Sequence, residues 1–362
     1  MLHPRRPGLH DVCAALSAVT GQDRFLDKTA DRTNLIMVAH RLARQLPKTE
    51  LHLHLDGSIT PEFICMAAER RGIVLPPVEL LPRHIDDLRE ASYSKRPAIG
   101  KTAEAGRNWG IFDWMNQFLQ SAWELEEGAA TLMASLADDN VRYAEIRFCP
   151  ELHTTEGLSL AEVVVAVCRG VHRGCEGSAI QGGVIVCALR SFSAEHSLRH
   201  AQLAHEFLGQ GVLGFDLAGD ENYMLSLHTQ AFEYCARHGV PFTIHAGELM
   251  PEEEPAAMVP NLELALELGA RRLGHGFALC QDQSGELVRR AAAAGVTVEV
   301  CLPICLNPRF SWYCADPAHQ RPSATGTITG SSVYAAHPIT GWHAAGLLHP
   351  AACSCIPPQK CD

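Results

Sequence analysis

The sequence predicts an α/β chain wound as a (β/α)8 TIM-type barrel, and three observations carry that expectation. From Glu50 onward, short apolar runs rich in Val, Ile, Leu and Phe alternate with longer amphipathic runs. Such short runs read as strands buried on both faces, and their alternation with helices implies a parallel sheet. Seven of these units fall within ~250 residues, the span of one closed barrel, which favours a barrel over an open doubly wound sheet.

In chain order, residues 1–46 are mixed and polar and form an N-terminal extension ending in a short helix at Leu35–Leu46. Strands are expected at Leu51–Leu55, Val141–Phe148, Gly183–Leu189, Val212–Leu217, Pro241–His245, Arg272–His275 and Val296–Cys301. Helices are expected at Leu160–Gly174, Glu195–Leu208, Leu225–His238, Leu262–Leu268 and Ser284–Ala294. Several stop at a glycine (Gly239, Gly269, Gly295), which adopts the left-handed conformation a helix end requires. A helical insertion at about 57–140 follows the first strand, so the barrel occupies 47–305. Beyond Cys305 the pattern fails: Pro308, Pro317, Pro322, Pro338, Pro350, Pro357 and Pro358 are scattered among small residues, and only Asp316 and Asp362 remain as acids. Residues 306–362 therefore read as a divergent tail, and the barrel is expected to be incomplete at strand eight.

Composition narrows the function. The 362 residues are 47% hydrophobic and 20% charged, enough for a sizeable core and unlike a disordered chain. Thirty Lys and Arg against 41 acids give a net charge of -11, which argues against a nucleic-acid partner. No long uncharged apolar window suggests a membrane span. The 14 cysteines lack framework spacing, so reduced thiols and a cytoplasmic setting are expected. The short apolar run Ala14–Val19 is too interrupted for a signal peptide.

The chemistry gathers at strand ends. His52 and His54 stand at i and i+2, so both imidazoles leave one face of the first strand. Neutral nitrogen donors in parallel suit a zinc ion. The fifth strand ends His245-Ala246-Gly247-Glu248 and the sixth Gly274-His275-Gly276, adding imidazoles and a carboxylate capable of acid–base work. The fourth ends Asp216-Leu217-Ala218-Gly219-Asp220-Glu221. Each alone reads as an ordinary loop or core polar residue; four on one rim do not, because catalytic groups of barrels collect at the C-terminal face.

Pro47-Lys48-Thr49-Glu50-Leu51-His52-Leu53-His54-Leu55-Asp56-Gly57-Ser58, the His245–Glu248 and Gly274–Gly276 segments, Asp216–Glu221 and Val141–Arg147 resemble segments of the adenosine deaminase family, in the family's order. The resemblance runs from about Leu46 to Cys301 and implies a metal-dependent barrel with one zinc per chain. It implies His52, His54 and His245 as ligands, Glu248 as proton donor to purine N1, and His275 as the residue orienting or deprotonating the zinc-bound water. Gly219 would donate its N–H to ring N3, Asp56 would lie near the ribose, and Trp114, Met115 and Phe118 would form an apolar lid. An ordinary helix face packed on the rim explains those three equally well. The implied reaction is hydrolytic deamination of adenosine or a related purine nucleoside to inosine-type product and ammonia.

The chain departs from the family where strand eight should deliver a paired aspartate, one a zinc ligand and the other a contact to N7. No Asp-Asp lies beyond Cys305, and Asp316 arrives too early. A shifted frame, a retained intron or an alternative last exon would account for so sudden a change. The expected result is a weakly stable and nearly inactive chain. Two alternatives stand beside this reading: a deaminase of an N6-substituted purine nucleotide, and an impaired protein that only binds zinc or purine. A binuclear amidohydrolase with a bridging lysine, and a Schiff-base aldolase, both fail because no lysine occurs between Lys101 and Lys360. Gly209–Gly214 matches a dinucleotide fingerprint by letters but precedes a strand, and Cys301, Cys305, Cys353, Cys355 and Cys361 lack zinc-module spacing.

Overall fold

A computed structural model describes residues 44–81, 110–248, 258–282, 284–301 and 328–331. The inner layer consists of β1 (Lys48–His54), β2 (Val141–Phe148), β3 (Gln181–Leu189), β4 (Val212–Ala218), β5 (Ile244–Ala246), β6 (Arg272–His275), β7 (Thr297–Cys301) and β8 (Ile328–Ser331). Their order is β1-β2-β3-β4 in one ladder and β5-β6-β7-β8 in the other, with every pair parallel. A bridge between Phe215 and Phe242 joins β4 to the β5 side. This is the expected (β/α)8 TIM-type architecture.

One expectation is corrected. An eighth strand exists: Ile328–Ser331 pairs with β7 from Val298 to Cys301 and lies beside β1. Its four residues, Ile-Thr-Gly-Ser, are too short and too polar to show a strand period. The β7 edge is thus paired, and an unpaired strand edge there gives no ground for instability. The predicted N-terminal helix before residue 44 and the remaining tail, Asp316 included, lie outside the described residues.

The outer layer comprises α1 (Pro61–Arg71), α2 (Gly110–Asn116), α3 (Ala122–Asp138), α4 (Leu160–Cys175), α5 (Ala194–Glu206), α6 (Thr229–His238), α7 (Val259–Glu267) and α8 (Glu286–Ala293). Local chemistry sets their ends. Ser121 with Glu124 and Ser159 with Glu162 form reciprocal caps on α3 and α4, satisfying amide groups that a helix start leaves unpaired. Pro61 opens α1 behind Thr60, whose side chain accepts from Phe63 N. The predicted helix Leu225–His238 is broken, a 3-10 turn at Leu225–His228 preceding α6. The predicted fifth strand is displaced C-terminally, to Ile244–Ala246.

The main core lies between strands and helices, where Val163, Val167, Val184, Val186, Phe215 and Phe232 are wholly buried. Helices α3 and α4 meet so closely that a Cβ on Gly170 would stand 2.2 Å from the Glu126 carbonyl oxygen. Gly170→Ala is therefore expected to destabilise the fold by about 1–3 kcal/mol, the usual range for overpacking, read as a lower urea midpoint with unchanged slope. No described helix is long and apolar enough to cross a membrane.

Candidate metal centre and active site

Barrel interiors are usually filled by branched apolar side chains, but here the inner layer is ionic. Strand register sets His245, Gly274 and Glu299 side by side on β5, β6 and β7. Across the interior, Arg147 of β2 reaches Asp216 of β4 at 2.8 Å and Glu299 at 2.7 Å. All three side chains are wholly buried. Each carboxylate also engages an imidazole: Glu299 meets His52 Nδ1 at 2.8 Å, and Asp216 meets His245 Nδ1 at 3.0 Å. Glu299 further accepts from Thr243 Oγ1 at 3.0 Å and Arg272 Nε at 2.7 Å.

With both Nδ1 atoms occupied, His52 and His245 direct Nε2 toward a shared centre. His52 Nε2 is buried without a hydrogen-bond partner. His52, His245 and His275 bring one nitrogen each within 4.8 Å of one another, the one such trio among the described residues. The predicted trio was His52, His54 and His245. His54 is outside the tightest group, yet its Nε2 lies 3.1 Å from His245 Nε2. Two ligands at ~2.0–2.1 Å from a tetrahedral zinc are ~3.3 Å apart, so that separation suits neighbouring ligands. Ring centroids among the four imidazoles lie 4.4–5.5 Å apart for the pairs in contact.

Two backbone features make room for this crowd. A Cβ on Gly274 would sit 2.8 Å from His52 Cε1 and 3.3 Å from His245 Cα. His275 adopts φ +67, unusual for a residue with a side chain and a form of strain common at functional sites.

Electrostatics keep three of the imidazoles neutral. Burial, then Arg147 and the other rings, holds His52 well below its ordinary value; burial, His245 and Arg147 do the same to His54. His275 falls to about 4, mainly by burial and against the pull of Glu248. Neutral imidazole is the metal-binding form. Burial alone would raise Asp216, yet His245 and Arg147 hold it well below the usual carboxylate range. Burial likewise opposes ionisation of Glu299, but Arg147 and Arg272 prevail and bring it to about 2.

Glu248 lies beside His275, its Oε2 being 3.6 Å from His275 Nε2. Its backbone N–H donates to Glu221 Oε1 at 2.7 Å, and Glu221 is held in turn by Asn261 Nδ2 at 3.0 Å. Asp56 is buried and pushed up to about 6, chiefly by desolvation, with a hydrogen bond from Asn116 opposing. Gly219 has φ +99 at the end of β4. Met115 and Phe118 are wholly buried in the core cluster, and Trp114 packs edge-on to Phe118 at 5.2 Å between centroids. Their packing is that of a helix face seated on the barrel rim.

Sequence reading passed over Arg147, Asp216 and Glu299 as individual roles, and Asn116 entirely. The available signal was a charge inside an apolar strand run, as in Ala144-Glu145-Ile146-Arg147-Phe148 and Val298-Glu299-Val300, because a buried charge requires a partner.

The family profile for adenosine deaminase matches residues 47–306, ending where the sequence changes character. An adenosine deaminase from Enterococcus faecalis is 35% identical over 259 residues, 71% of each chain. Among solved structures, a Zn-bound amidohydrolase from Burkhoderia ambifaria superposes with TM-score 0.64 at 20% identity, covering 84% of this chain and 78% of the other. An Arabidopsis N6-mAMP deaminase gives TM-score 0.58 at 21% identity, covering 75% and 76%. The chain, a hydrolytic deaminase by these relationships, belongs to the adenosine deaminase family.

Proposed function

We propose that this chain is a zinc-dependent aminohydrolase that replaces the C6 amino group of adenosine, or of a related purine nucleoside, with oxygen. The observation that carries this reading is the convergence of imidazoles from β1, β5 and β6 beside the Glu248 carboxylate. The donor set fits zinc: His52 and His245 offer Nε2 with Nδ1 already hydrogen-bonded to carboxylates, the arrangement that orients histidine ligands. His54 completes the proposed set of three, one zinc per chain. Zinc bound there supplies a Lewis acid that makes water nucleophilic near neutral pH.

The protein's own groups do the rest. Glu248 hands a proton to purine N1, making C6 more electrophilic, and His275 orients the attacking water and accepts its proton. Neutral His275 is competent for that role because burial and its neighbours keep it unprotonated above about pH 4. Gly219 donates its N–H to ring N3 and Asp56 stands near the ribose. The buried free thiols Cys149, Cys168, Cys187 and Cys235 support a reducing, cytoplasmic setting.

A second reading, deamination of an N6-substituted purine nucleotide, takes support from the likeness to the Arabidopsis N6-mAMP deaminase. A third, an impaired chain that binds zinc or purine, takes support from the missing Asp-Asp beyond Cys305. We expect zinc near one equivalent per chain and slow ammonia release from adenosine. The test is zinc stoichiometry and ammonia release on one preparation, with adenosine and N6-methyl-AMP compared. Absence of zinc sinks the metal reading, faster release from the nucleotide transfers the assignment, and fast turnover of adenosine refutes the expected impairment.

A further inference from the structure

We infer that Arg147 is a positioning residue that fixes both carboxylates behind the metal-facing imidazoles at once, an inference that rests on the zinc centre proposed above. Its guanidinium spans the barrel interior from β2. Nη1 donates to Asp216 Oδ2 at 2.8 Å, and Nη2 donates to Glu299 Oε2 at 2.7 Å and to the Leu51 carbonyl at 2.5 Å. Leu51 immediately precedes His52, so the third bond anchors the backbone of β1 beside a proposed ligand.

The logic is one of shared geometry. Asp216 and Glu299 each accept from an Nδ1–H, which leaves the Nε2 lone pair of His245 and His52 for the centre. Two carboxylates facing the same interior repel each other unless a cation stands between them. A planar guanidinium both neutralises them and aims them, because its donors lie in a rigid fork. A lysine supplies the charge without the fork.

The two carboxylates are unequally supported. Glu299 keeps Thr243 and Arg272 on its other oxygen. Apart from Arg147 and His245, Asp216 has the N–H of Leu217 at 2.8 Å and the Cys187 thiol at 3.8 Å. Losing Arg147 therefore disturbs His245 more than His52. A generic structural ion pair predicts no such asymmetry.

The test uses the full chain with Arg147→Lys and Arg147→Met, and Arg169→Met on the surface as control. Zinc affinity by chelator competition is expected to fall about 10–100-fold in both Arg147 variants, the usual cost of losing support behind a ligand, and to stay unchanged in the control. In the metal-free proteins, 15N-imidazole NMR should show Nδ1-protonated His52 and His245 in the wild type, with that tautomer lost first at His245 in the variants. Wild-type zinc affinity in a folded Arg147→Lys chain overturns the inference. So does an Nε2-protonated His245 in the wild type, a measurement that decides the matter even if neither variant folds. A wild type that binds no zinc sinks the metal reading alone and leaves the tautomers to judge Arg147.

Discussion

Glu248→Gln is expected to lower the rate of ammonia release from adenosine by ~10²–10⁴, the range for loss of a positioned acid–base group. Zinc content and thermal midpoint should stay at wild-type values. The side chain keeps its shape, and the backbone N–H that donates to Glu221 is untouched, so the segment stays in place while the proton for N1 is lost. Release should be followed with protein in excess over substrate, so that slow single turnovers are visible. A variant that matches the wild type assigns the proton to another group and removes Glu248 from the mechanism.

Glu299→Ala carries the largest expected effect on stability. The substitution strands Arg147 in the interior beside Asp216 and strips His52 and Thr243 of their acceptor. Breaking a buried ion pair from one side costs about 3–5 kcal/mol, measured here by urea unfolding of the metal-free chain at pH 7. The pH dependence has a definite sign. Glu299 titrates near 2 when folded, below its ordinary value of 4.5, so its contribution is fully present above about 4.5 and fades as pH falls toward 2. His153 acts in the same direction. Burial lowers it to about 4 from 6.5, so the unfolded chain takes up a proton first and stability declines as pH drops through that interval. The wild type should thus lose stability on acidification, and Glu299→Ala should lack the part of that loss between 4.5 and 2. A parallel pH profile for both proteins rejects this account.

Strand positions were legible in sequence wherever apolar runs were long. Val141–Phe148 was placed without error even though Arg142, Glu145 and Arg147 interrupt its apolar residues. Strand eight escaped because its four residues hold one large apolar side chain and take their place from pairing with β7, a tertiary cause that local composition does not encode. The histidines were legible for a different reason: imidazoles at alternate positions of a strand must share a face. What sequence did not show was the ionic layer behind them. Arg147, Asp216 and Glu299 lie 69 and 152 residues apart as bonded pairs, and only closure of the sheet makes them neighbours. The trio of imidazoles with the shortest separations also differs from the predicted one, since His275 leaves β6 with φ +67 and swings inward.

The four imidazoles divide two and two between the ladders: His52 and His54 ride on the β1–β4 ladder, His245 and His275 on the β5–β8 ladder. An ion held among them therefore rivets two half-shells across their seam. Because such a rivet grips the assembled shell and not the unravelled chain, the free ion is expected to raise the melting temperature in proportion to the logarithm of its concentration once the site saturates. Removing such an ion with a chelator is then expected to weaken the join between the halves.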